Sequence, residues 1–532
     1  MQIDLKNLPS KRKDLESIIA TLLDEAKKAN LEKEQALSEK DKALLENKYL
    51  KSQLTLFKRR FFGSKSEKLT PEEIEQGLLF NEAEKFIELE KTKETVVKSH
   101  KRKKKRRKAF PDYIPTREII HDIPEDEKIC SCGAELTHIG DDIFKELELI
   151  PATVEVIKNI KRKYACKVCE GTSDESKPGV ITAKAPAKLL PGTMVTASFL
   201  AYIIISKFCD GLPYYRLENI LNRFEIFTNR GTMCKWTIKA AKELSPLKEI
   251  MLKELLPSAL LGIDETSIQV LKEKGRRPQD KSVMWVFVGD PRGQPVIFYH
   301  YDPSKGAKVL KPFLENYTGT IITDGFSSYK SAVEKYKIRH AGCNAHARRD
   351  FRDAAKGEEK SKHALFYLQW YKKLYAIEDH AERKNLNSEE ITRLRQKKSK
   401  PIMDKMFIWL QEKKPQAPPK SDLGKAITYS LNNWKELTLF LEDGTIPIDN
   451  NFVERKIKPF VMGRKAWLFS DTVAGAEASS FFYGLIETAK ANGLEPFQYL
   501  NYLFEKFPHA KTEDEMRKLL PMFLKKEDIK IS

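Results

Sequence analysis

The sequence predicts a multidomain α+β protein, and three observations lead there. Residues from about 11 to 60 contain neither Gly nor Pro and carry a seven-residue apolar repeat, the pattern of a long helix. Four of the seven cysteines fall in two close pairs, Cys130 with Cys132 and Cys166 with Cys169. From residue 257 onward, short apolar runs of strand type end on carboxylates, and a long, highly charged helical stretch follows them.

At the N-terminus, Leu15, Leu22, Ala29, Ala36, Ala43, Leu50 and Phe57 recur at every seventh position. Ile19, Ala26 and Leu54 add part of a second stripe, which Lys33, Lys40 and Asn47 interrupt. The pattern predicts a coiled-coil helix over 1–62 and a homodimer or higher assembly through it; the alternative is one amphipathic helix packed on its own protein. Residues 63–110 read as a basic disordered linker that touches DNA non-specifically, because Lys101–Lys108 offers nothing apolar to bury. The net charge is +19, and removing the eight charges of that run leaves +11, so the excess is spread along the chain. A distributed positive surface suits phosphate backbones.

The longest apolar stretch, Phe199–Ile205, is far short of the roughly 20 residues that span a bilayer, so no membrane partner is expected. Early charges (Asp4, Lys6, Asp14, Glu16) argue against a signal peptide. An odd number of cysteines, four of them in close pairs, favours a reducing compartment with a metal site over a disulfide framework. The expectation is a cytoplasmic, nucleoid-associated protein.

Residues 111–185 read as a small zinc-binding β module. Between the cysteine pairs Val154, Val156, Ile160 and Tyr164 partly alternate, with Lys158 breaking the series. Two such pairs on neighbouring hairpin loops would set Cys130, Cys132, Cys166 and Cys169 tetrahedrally around one structural Zn²⁺; otherwise they are four unligated small hydrophobes. Residues 186–256 read as a helix-turn-helix DNA-binding domain. Val195–Phe208 is one helix, Gly211-Leu-Pro213 opens a second to about Phe224, and Thr228–Thr232 turns and caps into a third. Arg230, Thr232 and Lys235 are the candidate DNA contacts, and Trp236 belongs to the core.

Over 257–345 the sequence predicts strands Leu260–Val270, Val283–Gly289 and Val296–Tyr301, a helix at Ala307–Glu315 and a strand Thr320–Thr323. Three meandering strands, a helix and a further strand match the opening of an RNase H-like catalytic core. Asp264 lies in the first of these strands and Asp324 follows the fourth. Asp264 shares a strand face with Thr266 while Glu265 points away, which makes Glu265 the weaker ligand candidate. Residues 346–440 read as a helical insertion, opening near His346, a supporting residue, with Arg348 and Arg349 as phosphate contacts. The core resumes over 441–505 and a tail occupies 506–532. Glu454 sits on a helix with the stripe Val453, Ile457 and Phe460, which Pro459 is expected to limit. Asn450, four residues before Glu454, would orient its carboxylate, although Asn451-x-x-Glu454 also has the spacing of a capping box. Asp264, Asp324 and Glu454 are hard oxygen ligands of the kind one or two Mg²⁺ ions require in phosphodiester chemistry, which points to a nuclease or a strand-transfer enzyme.

Several further motifs occur: Arg-Arg-Phe-Phe-Gly-Ser-Lys-Ser-Glu-Lys (59–68), Leu-Glu-Leu-Ile-Pro (147–151), Asp-Gly-Leu-Pro-Tyr-Tyr-Arg (210–216), Thr-Asp-Gly (323–325), Ala-His-Ala-Arg-Arg (345–349), Asp-Asn-Asn (449–451), Gly-Arg-Lys-Ala-Trp-Leu-Phe (463–469) and Ile-Glu-Thr-Ala-Lys-Ala-Asn-Gly-Leu-Glu-Pro (486–496). Together they resemble the transposases of insertion-sequence family sixty-six, a branch of the DDE superfamily, over nearly the whole chain. The resemblance implies a catalytic triad of Asp264, Asp324 and Glu454 in an RNase H-like domain, with zinc-binding and helix-turn-helix regions that recognise element ends. It also implies two Mg²⁺ (or Mn²⁺) ions, bridged by the two aspartates and completed by Glu454. A water would cut at the element end, and the freed 3′-hydroxyl would attack target DNA. Arg455, Lys458, Arg464 and Lys465 would contact phosphates. The partners implied are double-stranded DNA (terminal repeats and target) and accessory proteins of the same element. Two departures stand out: Asn344 where the family often has Trp, and Leu-Gly-Ile before Asp264 in place of a polar lead-in. The competing readings are a DNA-binding protein without catalysis (a repressor or a decayed element product) and a hydrolytic RNase H-like nuclease.

The cysteine spacing yields a direct test. Purified protein should carry about one zinc per chain, and Cys166→Ser should release it. Metal content that is near zero, or unchanged in the variant, rejects the four-thiolate site.

Overall fold

The computed structural model describes residues 154–165, 180–290, 293–325, 327–356 and 361–529. The predicted N-terminal helix, the basic linker and the four paired cysteines lie outside these residues. Strand β1 (Lys163–Ala165) pairs antiparallel with β2 (Val180–Thr182). The alternating stretch before β1 is not a strand, and Val154, Val156, Ile157 and Ile160 are exposed along it. A ribbon of two three-residue strands has too little apolar face to order more of it.

Four helices follow: α1 (Ala197–Phe208), α2 (Tyr214–Asn222), α3 (Arg230–Glu243) and α4 (Ser245–Leu255). Each of α1 and α3 starts where a side chain satisfies a free backbone donor. Thr196 caps α1, and the Asn229 side chain accepts the Thr232 N–H at 2.8 Å to cap α3. Leu200, Ile203, Ile204, Leu217, Leu221, Met233 and Trp236 bury the inner faces.

The sheet behind them has the order β5-β4-β3-β6-β7. Strands β3 (Leu260–Lys272), β4 (Lys281–Gly289) and β5 (Val296–Asp302) form an antiparallel meander. A 3₁₀ turn and the short α5 (Lys311–Leu314) lead into β6 (Thr320–Thr323), which lies parallel to β3 on its other side. Then α6 (Ser327–Tyr336) crosses to β7 (Arg339–Gly342), parallel to β6. In β4 every residue from Ser282 to Gly289 is buried, as expected of a strand covered on both faces.

An insertion follows, made of α7 (Asn344–Lys356), α8 (Lys362–Arg383), α9 (Ser388–Leu394), α10 (Lys400–Lys413), α11 (Asp422–Asn432) and α12 (Trp434–Thr438). It has a separate apolar core around Phe351, Tyr367, Tyr371, Met406 and Leu410. The polar segment near Lys397 is a π-helical turn, Arg395–Ser399, that joins α9 to α10. Arg395 is fully buried there. Its guanidinium donates to both Glu378 oxygens (2.9 and 2.5 Å) and to the carbonyls of Phe440, Asp443 and Ile446 at 2.8 to 3.0 Å. One planar fork thus ties the far end of the insertion to its return segment. Asn344 is also buried, donating to Leu437 O (2.9 Å) and Ile448 O (3.1 Å).

The chain returns to the sheet as α13 (Asn451–Trp467), β8 (Ser470–Thr472), which pairs with the far end of β3, and α14 (Val473–Ala491). Then α15 (Pro496–Lys506) and α16 (Glu513–Arg517) close the chain. Thr488 of α14 accepts the Ile297 N–H (3.0 Å) and donates to Ile297 O (3.1 Å), so the helix covers the β5 edge of the sheet. Among the described residues no helix is long and apolar enough to cross a membrane.

Two expectations about α13 are corrected. It does not stop at Pro459 but continues through it, because Val453, Ile457, Phe460, Val461 and Trp467 bury a stripe on both sides of the proline. Nor does it start with a capping box. Asn450 is the residue before the helix and makes no side-chain cap bond, so Glu454 is not a capping carboxylate. The helix lies unusually close to β3. A Cβ on Gly262 would stand 2.2 Å from Val453 Cγ2 and 2.5 Å from the Phe452 ring. Gly262→Ala should therefore lift α13 and cost about 1–3 kcal/mol, read as a lower denaturant midpoint. An unchanged midpoint would show that the contact yields freely.

Candidate active site

Asp264 and Asp324 stand in register. Gly262 pairs with Ile322 across the parallel β3–β6 ladder, and each aspartate comes two residues further along its strand line. The two aspartates therefore lie side by side where the β3–β6 ladder stops, Asp264 within β3 and Asp324 just past the end of β6. Glu454 enters from the first turn of α13, which the Gly262 contact presses onto the same strand. The structure brings the three together closely enough for their charges to interact. Burial pushes the Asp264 carboxyl well above the usual carboxylate range, and the charges of Glu265, Glu454 and Asp324 push it further. Burial likewise raises Glu454 to about 7, with Arg349 pulling down and Asp449 and Asp324 pushing up.

Local bonds fix each group. The Glu265 N–H donates to Asp264 Oδ1 at 2.8 Å. Glu265 itself is turned to other partners, an ion pair with Lys305 at 2.8 Å and the Tyr329 hydroxyl. Thr323 donates its one hydroxyl proton to Asp324 O at 2.6 Å, so the 2.9 Å contact with His340 Nε2 has the histidine as donor. Gly325, next to Asp324, has room for hydrogen alone, because a Cβ would lie 2.8 Å from the Tyr429 ring of the insertion. Asp449 accepts from the Tyr375 hydroxyl (2.7 Å) and from Asn451 (3.0 and 2.9 Å), which latches α8 to the start of α13.

Several predicted roles change. Asn450 does not orient Glu454; its amide donates to Ile263 O (3.1 Å) on β3, and its backbone N–H donates to Cys343 Sγ (3.2 Å). Arg464 is not a phosphate contact. It donates to Thr266 Oγ1 (3.0 Å) and to Ser267 O, locking α13 onto β3. Arg349 faces inward, with Nη2 3.7 Å from Glu454 Oε1, in place of the phosphate contact expected of it. His346 Nδ1 is also 3.7 Å from that oxygen, and burial with the nearby Arg349 charge pushes its pKa down to about 3, so it sits there neutral. Arg348 lies over the Tyr375 ring at 5.4 Å. Arg230, Lys235 and Arg455 are exposed, while Thr232, Lys458 and Lys465 are half-buried.

Residues that sequence reasoning passed over are Gly262, Gly325, Cys343, Asp449 and Tyr375. Gly262 had a readable signal, since glycine inside a strand often marks a close backbone approach.

The donor set suits a hard divalent cation. Glu454 Oε1 is buried and accepts no hydrogen bond from the protein, and its charge is repelled by the like charges of Asp449 and Asp324 and in turn acts on Asp264. Cys343, His346 and Glu454 also offer ligand atoms within 4.8 Å of one another. The Cys343 thiol, however, is fully buried and pushed well above its ordinary range, which leaves the carboxylate oxygens as the fitting ligands.

Comparison with known proteins agrees over most of the chain. Residues 192–478 match the model described as Transposase IS66 family, and residues 484–522 match the IS66 C-terminal element. Residues 127–170 match the zinc-finger binding domain of transposase IS66, and 49–119 match Transposase C of IS166 homeodomain. Similar relatives include three uncharacterized proteins of Sinorhizobium fredii. They are y4jD (31% identical, covering 79% of this chain and 82% of that one), y4qI (30%, 81% and 79%) and y4hP (27%, 76% and 74%).

The raised Glu454 carboxyl gives a pH test. With a folded pKa near 7 against 4.5 unfolded, its contribution to stability is full below pH 4.5 and is lost as pH rises through 7. The buried histidines His300, His340 and His346, all pushed down, act in the opposite sense, so the comparison must be with Glu454→Gln. The variant should match wild type near pH 4 and exceed it by on the order of 3 kcal/mol at pH 8. Mg²⁺ or Mn²⁺ should raise the melting temperature of wild type alone. A pH-independent difference would reject this account of the site.

Proposed function

The chain belongs to the IS66 transposase family, and on that premise we propose that it is a DDE transposase that cuts insertion-sequence ends and joins them to target DNA. The observation that carries this reading is the meeting of Asp264, Asp324 and Glu454, two from the point where the parallel β3–β6 ladder stops and one from a buried helix turn. An RNase H-like core is supported by the meander β5-β4-β3 continued by parallel β6 and β7. Held by Asp264, Asp324 and Glu454, two Mg²⁺ or Mn²⁺ ions supply activation of the attacking oxygen and stabilisation of the leaving one.

The chain's own residues do the positioning. Asn450 and Arg464 hold α13 on β3 at both ends of the contact, and Gly262 sets its depth. Arg349 balances part of the charge that three carboxylates concentrate. In the first step a water oxygen bonds to phosphorus and the 3′-oxygen leaves; in the second that 3′-hydroxyl attacks a target phosphodiester, again exchanging one P–O bond for another. Arg455, Lys458 and Lys465 on α13, and Arg230, Thr232 and Lys235 on α3, contact DNA. One Zn²⁺ on Cys130, Cys132, Cys166 and Cys169 organises the module matched at 127–170. The N-terminal helix pairs two or more copies.

Labelled element-end DNA incubated with Mg²⁺ or Mn²⁺ tests the reading. Wild type should give cut and joined products, and Glu454→Gln should lower both by more than about a hundredfold with binding retained. Cutting without joining would identify a hydrolytic nuclease. Binding without cutting in any metal would identify a DNA-binding protein.

A further inference from the structure

Beyond the carboxylates, α13 ends in an unusual turn. Leu468 has φ 66° and ψ −51°, and the Phe469 N–H donates to Trp467 O at 2.9 Å, closing a three-residue γ-turn of the rare, strained hand. A leucine in that conformation is strained and persists only where its flanks are fixed. They are fixed on both sides. Trp467 packs against Phe460 (ring centres 5.6 Å apart) with Lys207 over it at 5.4 Å, and Ser470–Thr472 pairs with Val270–Lys272.

What the turn presents is apolar. Leu468 is 63% exposed and Phe469 43%. Before them on α13, Arg455, Lys458, Met462 and Lys465 share one face by helical spacing, a basic track that starts beside Glu454 and ends one turn before Leu468. The turn also neighbours the three-helix unit. Lys207 of α1 bridges Trp467 and Tyr214 (4.3 Å to the ring), and Cys234 of α3 feels the charge of Asp471. The turn therefore joins the end of α13 to the three-helix unit that carries the exposed basic residues of α3.

We infer that Leu468 and Phe469 are a wedge that enters a base step of bound DNA and unstacks it, an inference that rests on the DNA-cutting reading above. Apolar side chains on a rigid protrusion within a basic track are what opens a base step, because the unstacking cost is met by contacts the bent duplex then makes. A second copy of this chain would want a broader apolar face than one turn. Leu468 lies fourteen residues after Glu454, about 21 Å along the helix, so the opened step is a different one from that holding the scissile phosphate.

The test uses the full chain and element-end duplexes carrying 2-aminopurine at single positions. Wild type should raise fluorescence at one step away from the cleavage position. Leu468→Gly, which the left-handed backbone accommodates, and Phe469→Ser should each lose most of that rise with binding retained. A bound and cut duplex with no bright position, or a rise unchanged in both variants, overturns the wedge alone. Variants that change the mass of the protein in sedimentation overturn it in favour of a subunit contact. Wild type that neither binds nor cuts the duplex overturns the underlying reading as well.

Discussion

The seating of α13 on β3 is the contact on which the rest of the site depends. A helix normally stands off a sheet by the thickness of two side-chain layers. Here Gly262 removes one layer at the point where Val453 and Phe452 come down, while Gly463 lets α14 approach, since a Cβ there would lie 2.2 Å from the Tyr483 hydroxyl. Polar bonds then pin both ends of the contact, Asn450 to the Ile263 carbonyl and Arg464 to Thr266 and Ser267. Because α13 cannot slide, the carboxylate one turn into it is held against the strand that carries Asp264. Pro459 is tolerated for the same reason, since packing outweighs one missing hydrogen bond.

That seating forces an arrangement which opposes itself electrostatically. Burial raises both Asp264 and Glu454; the charges of Glu265, Glu454 and Asp324 push Asp264 further and those of Asp449 and Asp324 push Glu454, a destabilisation that ordinary folding would avoid. The surrounding structure is correspondingly braced. The insertion reaches the start of α13 twice, through Tyr375 to Asp449 and through Asn344 to Ile448, and it touches the Asp324 turn through Tyr429 at Gly325. Arg395, with its ion pair and three carbonyls, fixes the segment that leads back to Asp449. On this reading the insertion is a buttress for the carboxylates as well as a separate helical lobe. Strain of this kind is kept where function requires a charged group before its ligand arrives.

Much of this was legible in the sequence, and the boundary is physical. Strands β3 to β6 could be placed to within about two residues, because buried strands read as short apolar runs and two of them end near acids. Asp264 and Asp324 stood out for the same reason, since a carboxylate closing a buried run needs an explanation; Glu454, on a helix where capping was an equal alternative, stood out through the family resemblance. What a side chain does after folding was much less legible. Arg464 and Arg349 look like phosphate contacts in a basic sequence, yet one bridges to Thr266 and the other faces Glu454. Spacing along a helix tells which residues share a face, not which face turns inward, and Asn450 shows this best. Four residues before Glu454, it bonds to a strand carbonyl 187 positions upstream. The depth of α13 was hidden because it depends on the absence of a side chain at Gly262.

The basic residues of α13 can now be divided by what they touch. Arg464 is held by β3, and Lys456 faces Glu487 at 3.6 Å, so both belong to the interior. Arg455 is exposed, and Lys458 and Lys465 share its face. The helix is therefore two-sided in charge as well as in hydrophobicity. Its inner cations fix the fold, while its outer ones form a track that runs from the carboxylates to the Leu468 turn. A solvated basic surface needs no exposed leucine and phenylalanine at its end, still less on a backbone that costs free energy to hold. Their presence argues that the track ends on something able to accept apolar side chains, and in DNA that is the space between stacked bases.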